Sequence, residues 1–157
     1  MLRVLLVSLC ALCNSSSVTE TAAHSKLATA NLLRDIEAVK HEKAQTLREK
    51  QSEKMLRDII TVSNAGDIKA LDDQVIDDLI PLLDDDSDIV RGWTACALKY
   101  FGPRAHAAIP FLERAEKRVI EEEKRATQGD KVIMAPTSDS TDCIDQALDR
   151  IRGQSEQ

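Results

Sequence analysis

Between Leu27 and Ile60 the chain carries neither Pro nor Gly, and apolar residues return at helical spacing at Leu32, Leu33, Ile36 and Val39. The stripe fades and resumes at Leu47, Leu56, Ile59 and Ile60. Between Lys40 and Lys54 only Ala44 and Leu47 are apolar, but Glu, Lys, Gln and Arg abound there and favour helix by propensity. Glu53 stands four residues ahead of Arg57, a favourable helix pair, while Glu49 with Glu53 and Lys50 with Lys54 repel. The pattern predicts a long, bent, charged helix or helices over 27–62, packed at its ends and solvated in its middle. A broken heptad speaks against a coiled-coil arm. Ser63-Asn64-Ala65-Gly66-Asp67 reads as a helix end with Gly66 in the left-handed position.

Beyond Asp67 the pattern sharpens. Val75, Ile76, Leu79, Ile80, Leu82 and Leu83 form one stripe, with Asp72, Asp73, Asp77 and Asp78 outside it. Asp84-Asp85-Asp86-Ser87-Asp88 interrupts it with turn and capping residues. A second helix begins near Ile89, carries Val90, Thr94, Ala97, Leu98 and Phe101 on one arc, and stops at Gly102-Pro103. A third starts near Ala105, with Ile109, Leu112, Ala115, Val119 and Ile120, and ends in the charged run from Glu121 to Arg125. Residues 127–139 read as a loop, and a last helix over 142–152 buries Ile144, Leu148 and Ile151.

The first thirteen residues have a different character. Met1-Leu2-Arg3 is a short positive head, Val4 to Cys13 an apolar run of ten residues, and Asn14-Ser15-Ser16-Ser17 a polar exit. That is the layout of a secretory signal, with Ala11 and Cys13 as small residues before a cut at Asn14, or Thr21 and Ala23 before a later one. A buried N-terminal helix or strand is the competing reading. Ten residues reach about 15 Å as a helix, too short for an anchor. Residues 14–26 follow as a polar, flexible segment. The expectation is an exported protein, periplasmic or extracellular, with no membrane insertion once the signal is gone.

Cysteine usage follows from that. Cys10 and Cys13 leave with the signal, and Leu9 and Leu12 before them argue against lipidation. Cys96 and Cys143 can pair in an oxidising compartment. The alternative is that each is a small core residue, because sequence alone does not set the Cβ separation a bridge needs.

The 157 residues suit one domain with an appendage, and five Gly with four Pro are too few for a many-turned sandwich or barrel. The 27 acids against 21 bases, a net charge of −6, exclude nonspecific binding to nucleic acid or anionic membrane. Eight Asp and no Lys or Arg lie between Leu71 and Val90. That field could steer a basic partner, though a solvated acidic face is the blander account. An EF-hand loop from Asp84 would need Gly at 89 and Glu at 95, where the chain has Ile89 and Ala95. His24, His41 and His106 have no zinc spacing, there is no Gly-x-Ser-x-Gly elbow, and Asp77 with Asp78 as acid and base has no support. No catalytic residue, metal or cofactor is assigned.

Ile80-Pro81-Leu82-Leu83 returns 29 residues later as Ile109-Pro110-Phe111-Leu112. Such a period marks stacked helix pairs. Residues 77–115 resemble the HEAT repeat in its short bacterial form, and the likeness extends more faintly to 152. They show Ile80-Pro81 in the first helix, Asp84 to Asp88 as the turn, Val90-Arg91 opening the second helix, Ala-rich Thr94 to Leu98, and the Gly102-Pro103 exit. The resemblance implies an all-α fold: a short HEAT-like α-solenoid of about two helix pairs over 67–153, preceded by a long N-terminal helix. Pro81 and Pro110 would kink their helices in register. Gly92, Ala95 and Ala97 allow close helix approach. Arg91, at a helix start, opposes the macrodipole and needs an acidic partner, with Asp84 to Asp86 and Asp88 at hand. The family's matching arginine commonly bridges neighbouring turns. The second repeat departs from the pattern: its turn is replaced by 127–139, and Thr141 or Asp142 stands where Arg91 should recur.

The family consists mostly of scaffolds and binding surfaces. Stacked second helices line a concave side, so Trp93, Cys96, Lys99 and Tyr100 would edge it, and aromatics are enriched at interaction hot spots. Inter-repeat packing is the plainer role for Trp93 and Tyr100. A Cys96–Cys143 clip between repeats suits the same arrangement. The resulting expectation is a scaffold or interaction module with a protein partner and no enzymatic activity. The alternatives are an immunity-type inhibitor of a basic toxin or enzyme, and a HEAT-like chromophore lyase.

Overall fold

Residues 15–128 and 138–153 are described by the computed structural model. The expected signal, 1–13 with Cys10 and Cys13, lies outside them, as does 129–137 of the expected loop. Six α-helices occur among the described residues: α1 Ser15–His41, α2 Gln45–Asn64, α3 Gln74–Leu79, α4 Asp88–Lys99, α5 Ile109–Gln128 and α6 Ser138–Arg152. Three 3-10 segments, Asp67–Ala70, Ile80–Asp84 and Gly102–Ala108, link them, and there is no strand among the described residues.

The charged helix or helices expected over 27–62 are two. The chain breaks at Glu42-Lys43-Ala44, where Ala44 is extended and its N–H donates to the Glu42 carboxylate at 2.9 Å. Arg48 donates to the Glu42 carbonyl at 3.3 Å from the other side of the break. The helices then run antiparallel, with Lys54 on α2 bonded to Asp35 on α1 at 2.7 Å. Folding back buries both halves of the interrupted stripe: Leu32, Ile36 and Val39 from α1, and Met55, Leu56 and Ile59 from α2. Full burial of each large side chain contributes about 1.5–3 kcal/mol. One straight helix would leave those faces without cover. Leu47, just past the break, stays half exposed at 50%. The helix also begins at Ser15, so 15–26, expected to be a flexible segment, is helical backbone. Its alanines and its lack of Gly or Pro favour that.

Neither Ile-Pro step kinks a helix interior. After Leu79 the chain tightens into the 3-10 segment that Pro81 opens, and Pro110 is the second residue of α5. At such positions the missing N–H has no partner to lose. The two segments still touch, because Ile80–Asp84 packs on α5.

Side-chain contacts show how the helices succeed one another. Lys40 on α1 reaches Asp78 on α3 at 2.7 Å, and Glu49 on α2 accepts from Ser87, the N-cap of α4, at 2.7 Å; both span 38 residues. Arg104, ahead of α5, meets Asp73, and Glu122 on α5 meets Arg91; both span 31 residues. Cys96 meets Cys143 and Lys99 meets Gln146, both at a separation of 47, so α4 and α6 run parallel. α4 therefore lies between α2 and α6. Its arc Val90, Thr94, Ala97, Leu98 and Phe101 is buried against the core, as are Leu112, Ala115 and Val119 of α5 and Ile144, Leu148 and Ile151 of α6.

Candidate functional site: the outer strip of α4 and the acidic turn

The acidic turn is bound by the chain's own arginines. Arg48 of α2 comes within 3.0 Å of Asp85 through Nε, although that N–H is not aligned for a hydrogen bond and finds no other acceptor. From α5, Arg114 pairs with Asp84 and Arg118 with Asp86, each at 3.1 Å. Earlier in the acidic stretch, Arg104 holds Asp73, and Lys40 holds Asp78. The Lys40 ammonium keeps the Asp78 carboxyl below the usual carboxylate range. Five of the eight aspartates read as an acidic field are thus paired internally. The charge that looks free in sequence is largely spent on joining successive helices.

Arg91 is fully buried. Its need for an anion is met by Glu122 on α5 at 2.6 Å, and by the carbonyls of Asp85 and Asp86 at 2.9 and 3.1 Å. Of the aspartate carboxylates expected as its partners, those of Asp84, Asp85 and Asp86 take other cations. Asp88 opens α4 as an acidic first-turn residue, and its carbonyl accepts from Ser140 at 3.2 Å. Gly92 sits where a Cβ would come within 2.9 Å of the Ser140 backbone, so only glycine lets α6 approach this closely.

Cys96 and Cys143 form a disulfide, with Cα atoms 4.9 Å apart. Lys99 donates to Gln146 at 2.9 Å and stands 5.6 Å from the Tyr100 ring centre. Trp93 and Tyr100 are half-buried and pack on the core. Cys96 and Lys99 thus spend their side chains on α6, while Trp93 and Tyr100 keep an outer face.

Every residue of α4 is buried or half-buried, and what reaches solvent is narrow. Ile89, Trp93, Cys96 and Tyr100 follow one another at i, i+4, i+7 and i+11, one line along the helix. Asp88 and Lys99 flank that line. An outward helix strip is normally polar, and this one is aromatic and aliphatic. Beside it, α6 presents the exposed line Asp142, Gln146 and Asp149, with Asp145 adjacent. Burial and the repulsion of Asp149 and Asp142 hold the Asp145 carboxyl above its ordinary range. None of these three carboxylates has an ion-pair partner among the described residues. Sequence reading missed Ile89 and this acidic edge. The signal was present for Ile89, which falls off the buried arc of its helix. The edge emerges only once Cys143 is placed against Cys96.

Elsewhere, His41 pairs with Glu37 at 3.0 Å, and His106 is exposed. Among the described residues no group of three His, Cys, Asp or Glu is arranged to hold a metal ion, and no helix is long and apolar enough to cross a membrane. Compared with known proteins, the chain matches no family model, no curated protein and no solved structure.

Proposed function

We propose that this chain is an exported, HEAT-like helical-repeat module that binds a macromolecular partner on the outer strip of α4 and the helices beside it. The observation that carries the reading is the line Ile89, Trp93, Cys96 and Tyr100, an apolar outer face on a chain of net charge −6. Large aromatics at half exposure are the usual anchors of a protein interface.

The repeat architecture belongs to the same proposal. Equal separations of 38 residues in α1–α3 and α2–α4 contacts are what a helix pair stacked on the next pair would produce. On this account the pairs are α1 with α2, α3 and its 3-10 segment with α4, and α5 with α6. That is three pairs, one more than the resemblance alone implies, because the charged helices ahead of it form the first. On the same account, a separation of 31 from Asp73, at the start of α3, to Arg104, ahead of α5, against 47 between α4 and α6, puts the extra length between α5 and α6.

Export is supported by the signal-like leader together with the disulfide, since such bonds persist in oxidising compartments. A lyase would need a reactive group near Cys96, and the sulfur there is bonded to Cys143. An inhibitor of a basic protein remains compatible with the acidic edge of α6, but not through the internally paired turn.

The test is affinity capture from the periplasmic or secreted fraction with wild-type protein and with Trp93→Ala/Tyr100→Ala. The proposal expects the variant to keep its helical circular dichroism and lose the captured partner. Undiminished capture by a folded variant removes the strip as the site.

A further inference from the structure

α6 lies against α4, α5 and the 3-10 segment Gly102–Ala108. It has 15 residues, and a helix of that length is marginal in water by itself. Its order therefore depends on how it is held. On its inner side Ile144, Leu148 and Ile151 are buried. The outer seam with α4 is of another kind. Gly92, Cys96 and Lys99 stand at i, i+4 and i+7 along α4 and meet Ser140, Cys143 and Gln146 of α6. No large apolar side chain belongs to either row. The Cys96–Cys143 bond occupies the middle of the seam, where an ordinary helix pair would interlock apolar side chains.

On either side of the bond the ties are polar. Lys99 reaches Gln146 at an exposed position, and Ser140 donates to the Asp88 carbonyl at 3.2 Å. Arg152 with Glu113 is a surface pair of the sort that adds little. α5 is fixed differently: Arg114 and Arg118 hold Asp84 and Asp86, and Glu122 holds Arg91, without any part from α6. Cys96 is half-buried on the outer line of α4, whereas Cys143 is buried, so the bond is approached from the Cys96 side.

We propose that this bond is a redox latch: oxidised, it locks α6 on α4; reduced, it lets the seam open and α6 come away from an otherwise folded chain. The reductant is a dithiol. One of its thiolates attacks Sγ of Cys96, and Sγ of Cys143 leaves with the bonding electron pair and takes a proton. The second thiolate of the reductant then closes the reductant's own disulfide and displaces Cys96, which takes a proton in turn. Two electrons and two protons have passed to the chain. Exchange with an oxidised disulfide runs the same steps backwards. On the export reading, α6 stays loose until the chain reaches an oxidising compartment.

The test is hydrogen exchange, followed by mass spectrometry, on the full chain when oxidised, when reduced with dithiothreitol, and when reoxidised with glutathione disulfide. Reduction should speed exchange of the α6 amides by about a hundredfold or more, while α2, α4 and α5 keep their protection and reoxidation restores that of α6. Cys96→Ser/Cys143→Ser should exchange like the reduced protein with no reductant present. Trp93, the chain's one tryptophan, lies one turn before Cys96, so its emission should change as the seam opens and recover as it closes. An α6 that stays protected after both thiols are released overturns the latch and leaves the bond a plain staple. Loss of protection along every helix overturns it too, as does a bond that dithiothreitol fails to cleave in the folded protein.

Discussion

Arg91 shows how much a single buried charge is asked to hold. Its guanidinium is out of water, and Glu122 with the Asp85 and Asp86 carbonyls surrounds it. Arg91→Ala takes the donor from the Asp85 and Asp86 carbonyls and leaves Glu122 to Arg118 alone, and each buried acceptor so stripped costs about 1–3 kcal/mol. Urea unfolding should show that loss, whereas Arg91→Met, which restores apolar volume, should lose less. At the same scale, two carboxylates should move stability with pH in opposite directions. Asp78 is held low by Lys40, so its contribution is present above the unfolded carboxyl pKa, about 3.9, and is lost as pH falls through the lower folded value. Asp145 is held high by burial and by Asp149 and Asp142, so its contribution is present below the unfolded value and lost as pH rises through the folded one. Asp78→Asn should therefore lower the urea midpoint at pH 7, and Asp145→Asn should raise it slightly. Both differences should shrink towards zero near pH 2.

Between elements, the α4–α6 contact joins the most distant parts of the chain. The Cys96–Cys143 bond closes a separation of 47 residues. In the chain-entropy account that stabilises the fold by about 4 kcal/mol, so Cys96→Ala/Cys143→Ala should lower the melting temperature well below that of the oxidised protein. Gly92→Ala should destabilise by about 1–3 kcal/mol, because its Cβ would press on the Ser140 backbone. Thermal unfolding measures both. Much of this level can be read from sequence, since helical periodicity is a local property: Val90, Thr94, Ala97, Leu98 and Phe101 share an arc and are buried together. The turn at Glu42-Lys43-Ala44 could not be read in that way. No Gly or Pro marks it, and its cause is the pairing of two apolar faces that lie apart in the chain. Likewise the need of Arg91 for an anion was legible, but its choice of Glu122, 31 residues away, follows from packing. The Ile-Pro steps suggested a repeat, and the places of Pro81, at the start of a 3-10 segment, and Pro110, the second residue of α5, correct the kinks expected from them.

At the scale of the molecule, α4 is flanked by α2 and α6 and also meets α3 and α5. The outer face of α1–α2 carries charge pairs such as Lys54 with Asp35 and Asp58, and Arg57 with Glu53. A polar end of this kind suits a terminal unit of the proposed stack rather than a site for further growth. The strip on α4 is then the apolar outer face most directly available to a partner. The most direct test places a photo-crosslinking amino acid at Ile89, on the strip, or at Lys117, exposed on α5, in protein returned to the exported fraction. The account predicts a discrete crosslinked partner from position 89 and none from position 117. A partner trapped from 117, with position 89 silent, would contradict it.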